Sequence, residues 1–368
     1  MVGRIVINMA LQGSGAIKFS EIESEFGSNG ERSLGSYRVS QDIGELSSLP
    51  LDQDAGSSSN TDIPSSGAIK FSNFYNAKLN VVVDCYSGST ENRIIAKNDK
   101  WNNNNITVVG GFRSKKEAGS RVIIHVNKTF GSTSNTNQQI CALRTGSWDS
   151  SVALQVDIGS SGAILGAGGD GGDGADGYSD YGPSTGSVGN GSNGNSALGI
   201  QHNPTTVNVV SGGQIRTGYG GGGGGQGGRQ VDSGADRTAC GGGGGGGGGT
   251  PPGAAGEGGQ RLSGGGDEVA SGSDGGAGSN LTDPGPAGGG GGSGGNNYNE
   301  AIGATGGVGG DSEQSPGAGG SVYNGKNTYG GNGAAGGNGA AVRRTSGYTV
   351  TVNNSGTIEG STTATGVA

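Results

Sequence analysis

Of 368 residues, 89 are glycine, and only 29% are hydrophobic and 5% aromatic. Glycine at more than three times its usual ~7% share means that side-chain burial cannot organise the whole chain, which excludes an ordinary enzyme domain over much of it. A net charge of −8, from 22 basic and 30 acidic residues, excludes general attraction to nucleic acid.

Cys85, Cys141 and Cys240 are far apart and form no CxxC or Cys/His cluster, so neither a disulfide framework nor a zinc site is expected. No stretch approaches the ~18 apolar residues that span a bilayer, and the short apolar start around Arg4 lacks a cleavage pattern. A soluble chain without a recognisable export signal is the expectation.

Four regions follow from composition. Residues 1–77 carry an internal duplication, SGAIKFS at Ser14–Ser20 and again at Ser66–Ser72, each copy reading as a short extended run that enters a helical turn. Between the copies Leu34, Tyr37, Val39, Ile43, Leu46 and Leu49 suffice for a small satellite core.

Residues 78–164 read as all-β. Alternation runs through Leu79–Val83, Arg121–Val126 and Val152–Ile158, each bounded by turn residues, which predicts a stack or sandwich of short strands. His125 sits in the second run at a position expected to face solvent.

Residues 165–345 contain the runs Gly220–Gly225, Gly241–Gly249 and Gly288–Gly292, separated by spacers of similar size. Blocks with spacers argue for order, not for a flexible tether. Glycine can adopt an extended helix with three residues per turn and ~3.1 Å rise, whose outward N–H and C=O groups need partners. Packed copies of such polyglycine II helices would satisfy one another and stand in for a core. Collagen is excluded by the missing Gly-X-Y period and by only 9 prolines.

A strand–turn–glycine unit anchors the tracts: SVALQVDIGSSGAILG at Ser151–Gly166, TTVNVVSGGQIRTG at Thr205–Gly218 and YTVTVNNSGTIEG at Tyr348–Gly360. The last belongs to residues 346–368, read as a C-terminal capping strand unit. The expected fold class is thus mainly β with very little α-helix.

Little catalytic chemistry survives. GxGxxG-like matches are inevitable in this composition, and no GxxxxGK[ST] occurs. Asp267 with Glu268, and Asp311 with Glu313, lack an environment that would separate their pKa values; His125 and His202 lack a nucleophile context. Neither enzymatic activity nor a cofactor is expected. Asp170, Asp173 and Asp176 would line one edge of a threefold helix, either keeping it solvated or collecting a hard cation such as calcium; the solvated edge is preferred.

The spacers instead have the composition of binding loops, with Tyr, Asn and Arg on a rigid support. The candidates are Tyr178, Tyr181, Arg229, Arg237, Tyr298, Asn299, Tyr323 and Tyr329.

The Val-x-Val and Gly-x-Ile units running into polyglycine, over Arg121–Ala368, resemble the receptor-recognising tail-fibre adhesins of T-even-like bacteriophages. SGAIKFSNFY at Ser66–Tyr75 is similar to a short module at the start of many tailed-phage structural proteins. The resemblance implies a non-enzymatic virion protein, made in the host cytoplasm and mounted on a tail fibre or tail tip. Its partners would be other phage structural proteins of the tail fibre, tail tip or capsid, and a host surface protein or glycan, with a homotrimer among the assemblies implied and no nucleic acid. Ile17, Phe19, Ile69, Phe71, Phe74 and Tyr75 would dock it to the virion, and the spacer residues would meet the receptor. The alternative is a capsid-fibre or decoration protein with no receptor.

Overall fold

A computed structural model describes residues 11–26, 33–37, 67–75, 80–85, 88, 94–101, 106–108, 121–133, 137–176, 188–232, 235–260, 269–281, 288–293, 296–297, 301–311, 315–321, 328–329 and 332–367. The strands are short. In chain order they are β1 (Asn80–Cys85), β2 (Ile94–Ile95), β3 (Ile106–Val108), β4 (Arg121–Val126), β5 (Thr129–Phe130), β6 (Cys141–Arg144), β7 (Ala153–Ile158), β8 (Ala163–Leu165), β9 (Ser196–Ile200), β10 (Thr205–Val209) and β11 (Gln214–Arg216). They continue with β12 (Gly227–Asp232), β13 (Ala235–Ala239), β14 (Val269–Ala270), β15 (Asn296–Asn297), β16 (Ala301–Ile302), β17 (Thr328–Tyr329), β18 (Val342–Arg344), β19 (Val350–Asn354), β20 (Thr357–Glu359) and β21 (Ala364–Thr365).

Three of the sheets form one body. Their strand orders are β19-β10-β7-β4-β1-β3, β20-β11-β8-β5 and β2-β6-β9-β18-β21, with every pairing parallel except β1 with β3. The chain visits the three faces in turn: β4, β5, β6; then β7, β8, β9; then β10, β11, β18; then β19, β20, β21. This is a three-sided parallel β-solenoid, so the expected strand stack is coiled rather than sandwiched.

Alternation explains the coil. Side chains at every second position point inward and stack on their counterparts one rung away. On the first face Ile124, Val156, Val207 and Val352 are in register, and on the second Phe130, Ile164, Ile215 and Ile358. Leu143, Leu198 and Val342 do the same on the third. All but the last-rung Val352 and Ile358 are buried. The three strand–turn–glycine units are successive rungs, and the solenoid draws strands from both sides of residue 164 and of residue 345.

His125 departs from expectation. Its register places it on the outward face of β4, yet it is 2% exposed and Ile123 beside it is fully buried. The outward face of this rung is therefore covered. Ile123 belongs to the same hydrophobic cluster as Leu11, Ile17, Ile22 and Phe74 of the N-terminal region. Leu34–Tyr37 is a single helical turn with Leu34 packed on that cluster; Val39, Ile43, Leu46 and Leu49 lie outside the described residues.

The glycine-rich segments leave the solenoid at one corner, between its second and third faces. One excursion runs from β8 to β9, and a longer one from β11 to β18. Their backbones bond to one another with partners recurring every third residue, the repeat of an extended helix with three residues per turn. In the segment 218–226, the N–H groups of Gly218, Gly221 and Gly224 donate to the carbonyls of Asn195, Ser192 and Gly189, and those of Tyr219, Gly222 and Gly225 to Gly248, Gly245 and Gly242. Those of Gly223 and Gln226 donate to Gly317 and Gly320. Its carbonyls accept in the same rotation from 333–339, 169–175 and 304–310, all bonds being 2.8–3.3 Å.

A segment bonded on every side can carry no side chain on any side. An ideal Cβ at Gly222 would lie 2.1 Å from the Gly307 carbonyl oxygen, and one at Gly244 2.1 Å from that of Gly222. Gly220–Gly225 and, except at Gly248, Gly241–Gly249 are enclosed in this way, which accounts for glycine at those positions. Segments with an open edge mix glycine with other residues, among them Asp, Asn, Ala, Ser and Glu.

Some of those residues also bond. The Oδ1 atoms of Asp170, Asp173 and Asp176 accept from the N–H groups of Ala254, Glu257 and Gln260 at 2.8, 2.9 and 2.8 Å. Asn190 Oδ1, Asn193 Oδ1 and Ser196 Oγ accept from Ala334, Gly337 and Ala340 at 2.9, 2.7 and 3.0 Å. The aspartate row therefore does more than keep an edge solvated. Each side-chain oxygen replaces a missing neighbouring carbonyl, closing a lattice in which an unpaired buried N–H would be costly.

Candidate functional site

The bundle has a base at the solenoid and a far end. At the base, Thr250 N–H donates to Gly166 and Gly339 N–H to Gly218; at the far end, Gly241 N–H donates to Ala175 and Ala304 N–H to Gln226. At ~3.1 Å per residue, Gly241–Gly249 spans about 28 Å between the two levels. Segments alternate outward and back, so the connections divide cleanly. Residues 251–252, 282–287 and 312–314 join segments at the base. Residues 177–187, 227–239, 261–270, 294–302 and 322–331 join them at the far end.

Every spacer residue selected from the sequence belongs to a far-end connection. Arg229 lies in β12, Arg237 in β13 and Tyr329 in β17. Tyr178, Tyr181, Tyr298, Asn299 and Tyr323 lie outside the described residues, within connections whose flanking segments end at this level.

Two small sheets build the far end. The first has the order β14-β13-β12-β17, and the second is the hairpin β15-β16, which packs against β12 and β13. In the β12–β13 pair Arg229 lies opposite Thr238, and Gln230 opposite Arg237. The structure thus brings the two arginines to one hairpin. The connection 261–270, which supplies β14, escaped the sequence reading. Its signal was available: it is bounded by glycine-rich segments of the same size as the others.

The base is tied by charge. Arg216 of β11, 8% exposed, donates through Nε to Glu359 Oε2 of β20 at 2.7 Å and through Nη1 to the carbonyl of Leu281. Tyr219 donates its hydroxyl to the same Glu359 oxygen at 3.3 Å. Burial first, and then the Glu359 carboxylate, push the Tyr219 phenol well above the ordinary value of ~10.

The N-terminal duplication also folds onto itself. Both copies turn at a positive-φ glycine, Gly15 at 91° and Gly67 at 79°, where any side chain would be strained. Both then enter a helical segment, α1 (Phe19–Phe26) in the first and a single turn Phe71–Phe74 in the second. The backbone N–H of Lys18 donates to Glu21 Oε2 at 2.7 Å, and that of Lys70 to Asn73 Oδ1 at 2.8 Å, matching caps at matching positions. The copies meet through the rings of Phe19 and Phe71, edge to face with centroids 6.1 Å apart, and through the Tyr75 hydroxyl, which donates to the carbonyl of Gly15.

The expected docking residues thus divide. Ile17 and Phe74 are buried and serve the core, because their positions face the covered side of the module. Phe71 is 42% exposed, with Phe19, Ile69 and Tyr75 half-buried around it.

Among the described residues no group of three or more His, Cys, Asp or Glu side chains is placed to hold a metal ion, and no helix is long and apolar enough to cross a membrane. His202, 4% exposed, has its Nε2 2.9 Å from the Val152 carbonyl and braces a corner of the solenoid.

The fold and the site define a β-solenoid that carries a backbone-bonded glycine bundle and gathers the connections of that bundle at one end. No family model, curated protein or solved structure matches the sequence.

Proposed function

We propose that the chain is a non-enzymatic bacteriophage virion protein, an adhesin of a tail fibre or tail tip that attaches the particle to a host surface protein or glycan. One observation carries this reading: the aromatic, Asn- and Arg-bearing connections all emerge from the end of the bundle remote from the solenoid. Connections carried on a scaffold fixed by main-chain bonds are suited to recognition, because the support fixes the segments they leave from before binding.

The duplicated N-terminal module supplies the other end. Phe71, exposed beside half-buried Phe19, Ile69 and Tyr75, offers an apolar contact to another virion protein. Host proteins or glycans would then meet the far end while the module holds the particle.

The test replaces residues 177–187, 229–237, 296–300 and 323–329 by Gly/Ser sequences of equal length. The native chain is expected to be retained on outer-membrane fractions of at least one bacterium in a panel, and the replaced chain to lose that retention while amide protection of Gly241–Gly249 is kept. Retention that survives the replacement, or none on any fraction, would overturn the adhesin and leave a decoration protein.

A further inference from the structure

The last rung of the solenoid ends in an edge that is complementary to itself. Ser355 N–H donates to the carbonyl of Val209 at 2.8 Å, and Thr205 N–H to that of Thr349 at 3.2 Å. In a parallel ladder these bonds fix which residues of β19 face β10: the odd-numbered ones do, so the N–H and C=O groups of Val350, Val352 and Asn354 point to the other edge. Among the described residues no strand pairs with that edge.

The inward side chains of this rung are also incompletely covered. Val350, Val352 and Ile358 are half-buried, whereas Val207 and Ile215, stacked directly above them, are fully buried. Natural sheets protect such an edge with lysine, proline, a bulge or an inward-pointing charge. None stands on Val350–Asn354 or Thr357–Glu359 except Glu359, and Arg216 neutralises it from within the same chain.

We infer that this edge docks a second copy of the chain, end to end, about a twofold axis. The spacing of the free groups fits. In an antiparallel pair, hydrogen-bonded positions recur every second residue and each exchanges both bonds. An axis through Val352 sets Val352 against its own counterpart and Val350 against the partner copy's Asn354, using all three free positions of β19. The same axis reverses the sense of the coil and brings β20 opposite the partner's β21. There the contact is weaker, because Arg343 Nη1 already occupies the carbonyl of Thr365.

Charge and topology favour a second copy arranged in this way. The chain carries −8 overall, yet the edge itself has no uncompensated charge to repel its like. Head-to-tail stacking would not continue the parallel coil, since the opposite end of the first face is β3, which runs antiparallel to its neighbour. An isologous contact also closes on itself, giving a dimer and not a filament.

The test is sedimentation of the full chain over a concentration series. Twice the chain mass is expected at the upper end, falling toward one chain mass on dilution. Val352→Lys puts a charge inside the open rung, and Val350→Pro removes one free-edge N–H while sparing every bond to β10. Each variant is checked for folding by amide-exchange protection at Gly241–Gly249. Loss of the dimer in either folded variant supports the pairing. A native chain that stays monomeric throughout, or a dimer that persists in both variants, overturns it. Neither outcome depends on receptor binding at the far end of the bundle.

Discussion

Arg216 Nε lies 2.7 Å from Glu359 Oε2, and this pair joins consecutive rungs of the solenoid at the point where the glycine bundle begins. The remaining reach of Arg216, to the Leu281 carbonyl, extends the tie into the bundle. Glu359→Ala leaves a buried guanidinium with one partner. Breaking a fully buried pair costs about 3–5 kcal/mol, and the partial exposure of Glu359 lowers the expected loss to about 2 kcal/mol. Urea denaturation followed by circular dichroism measures it, and a loss under ~0.5 kcal/mol would mean the joint is dispensable.

Tyr219 makes the same joint sensitive to alkali. Its phenol is raised in the folded chain by burial and by Glu359, so the folded state holds its proton where the unfolded state releases it. The contribution is complete below the unfolded value of ~10 and is lost as pH rises beyond it. Melting temperature should therefore fall above pH ~10 more steeply in the native chain than in Tyr219→Phe. Equal slopes would remove the phenol as the cause.

Two glycines give opposite outcomes. At Gly222 an added Cβ would meet the Gly307 carbonyl at 2.1 Å, and Gly222→Ala should cost about 3 kcal/mol, the upper range for overpacking. At Gly290 nothing lies within 4 Å, and Gly290→Ala should be neutral or stabilise by up to ~1 kcal/mol through the unfolded state. Thermal melts of the two proteins decide, and similar shifts would contradict the lattice.

The aspartate row separates hydrogen bonding from charge. Asp173→Asn keeps an Oδ1 to accept from Glu257, and its melting temperature should stay close to native. Asp173→Ala removes the acceptor at an exposed position and should cost about 1 kcal/mol. Calcium should move neither melt; a calcium-dependent rise abolished in the Asn variant would point to a cation instead.

Hydrogen exchange addresses the bundle as a whole. N–H groups of Gly241–Gly249 donate to the carbonyls of Ala175, Gly172 and Gly169, of Ala304, Gly307 and Gly310, and of Ser273, Gly276 and Ser279 in rotation, at 2.8–3.1 Å. Protection of these amides should rival that of β7 and β10 in the solenoid. Exchange at the rate of a free glycine linker would be incompatible with the bonded arrangement.

Much of the solenoid was legible because two of its faces repeat in the letters. Val156, Val207 and Val352, then Ile164, Ile215 and Ile358, recur in the three strand–turn–glycine units and stack as written. The third face was not legible: Cys141–Arg144, Ser196–Ile200 and Val342–Arg344 share no motif, and their pairing depends on where the glycine excursions return. The enclosed positions of the two longest glycine runs follow from bonding on all sides, which a linear pattern shows only as monotony. Residues such as Tyr178 and Arg237 could be picked by type, but that their connections leave the bundle at one end follows only from the alternation of outward and returning segments. His125 was misjudged because covering of a strand's outer face comes from residues distant in sequence.

The interior of the glycine lattice is held mainly by peptide groups, which every residue possesses, with side-chain oxygens completing its edges. If the far-end connections do the binding proposed for them, folding information and recognition chemistry occupy largely different atoms. The bonds that hold segments 218–226 and 241–249 run mainly between peptide groups, so on the proposed reading the far-end connections can change in sequence without rewriting the support.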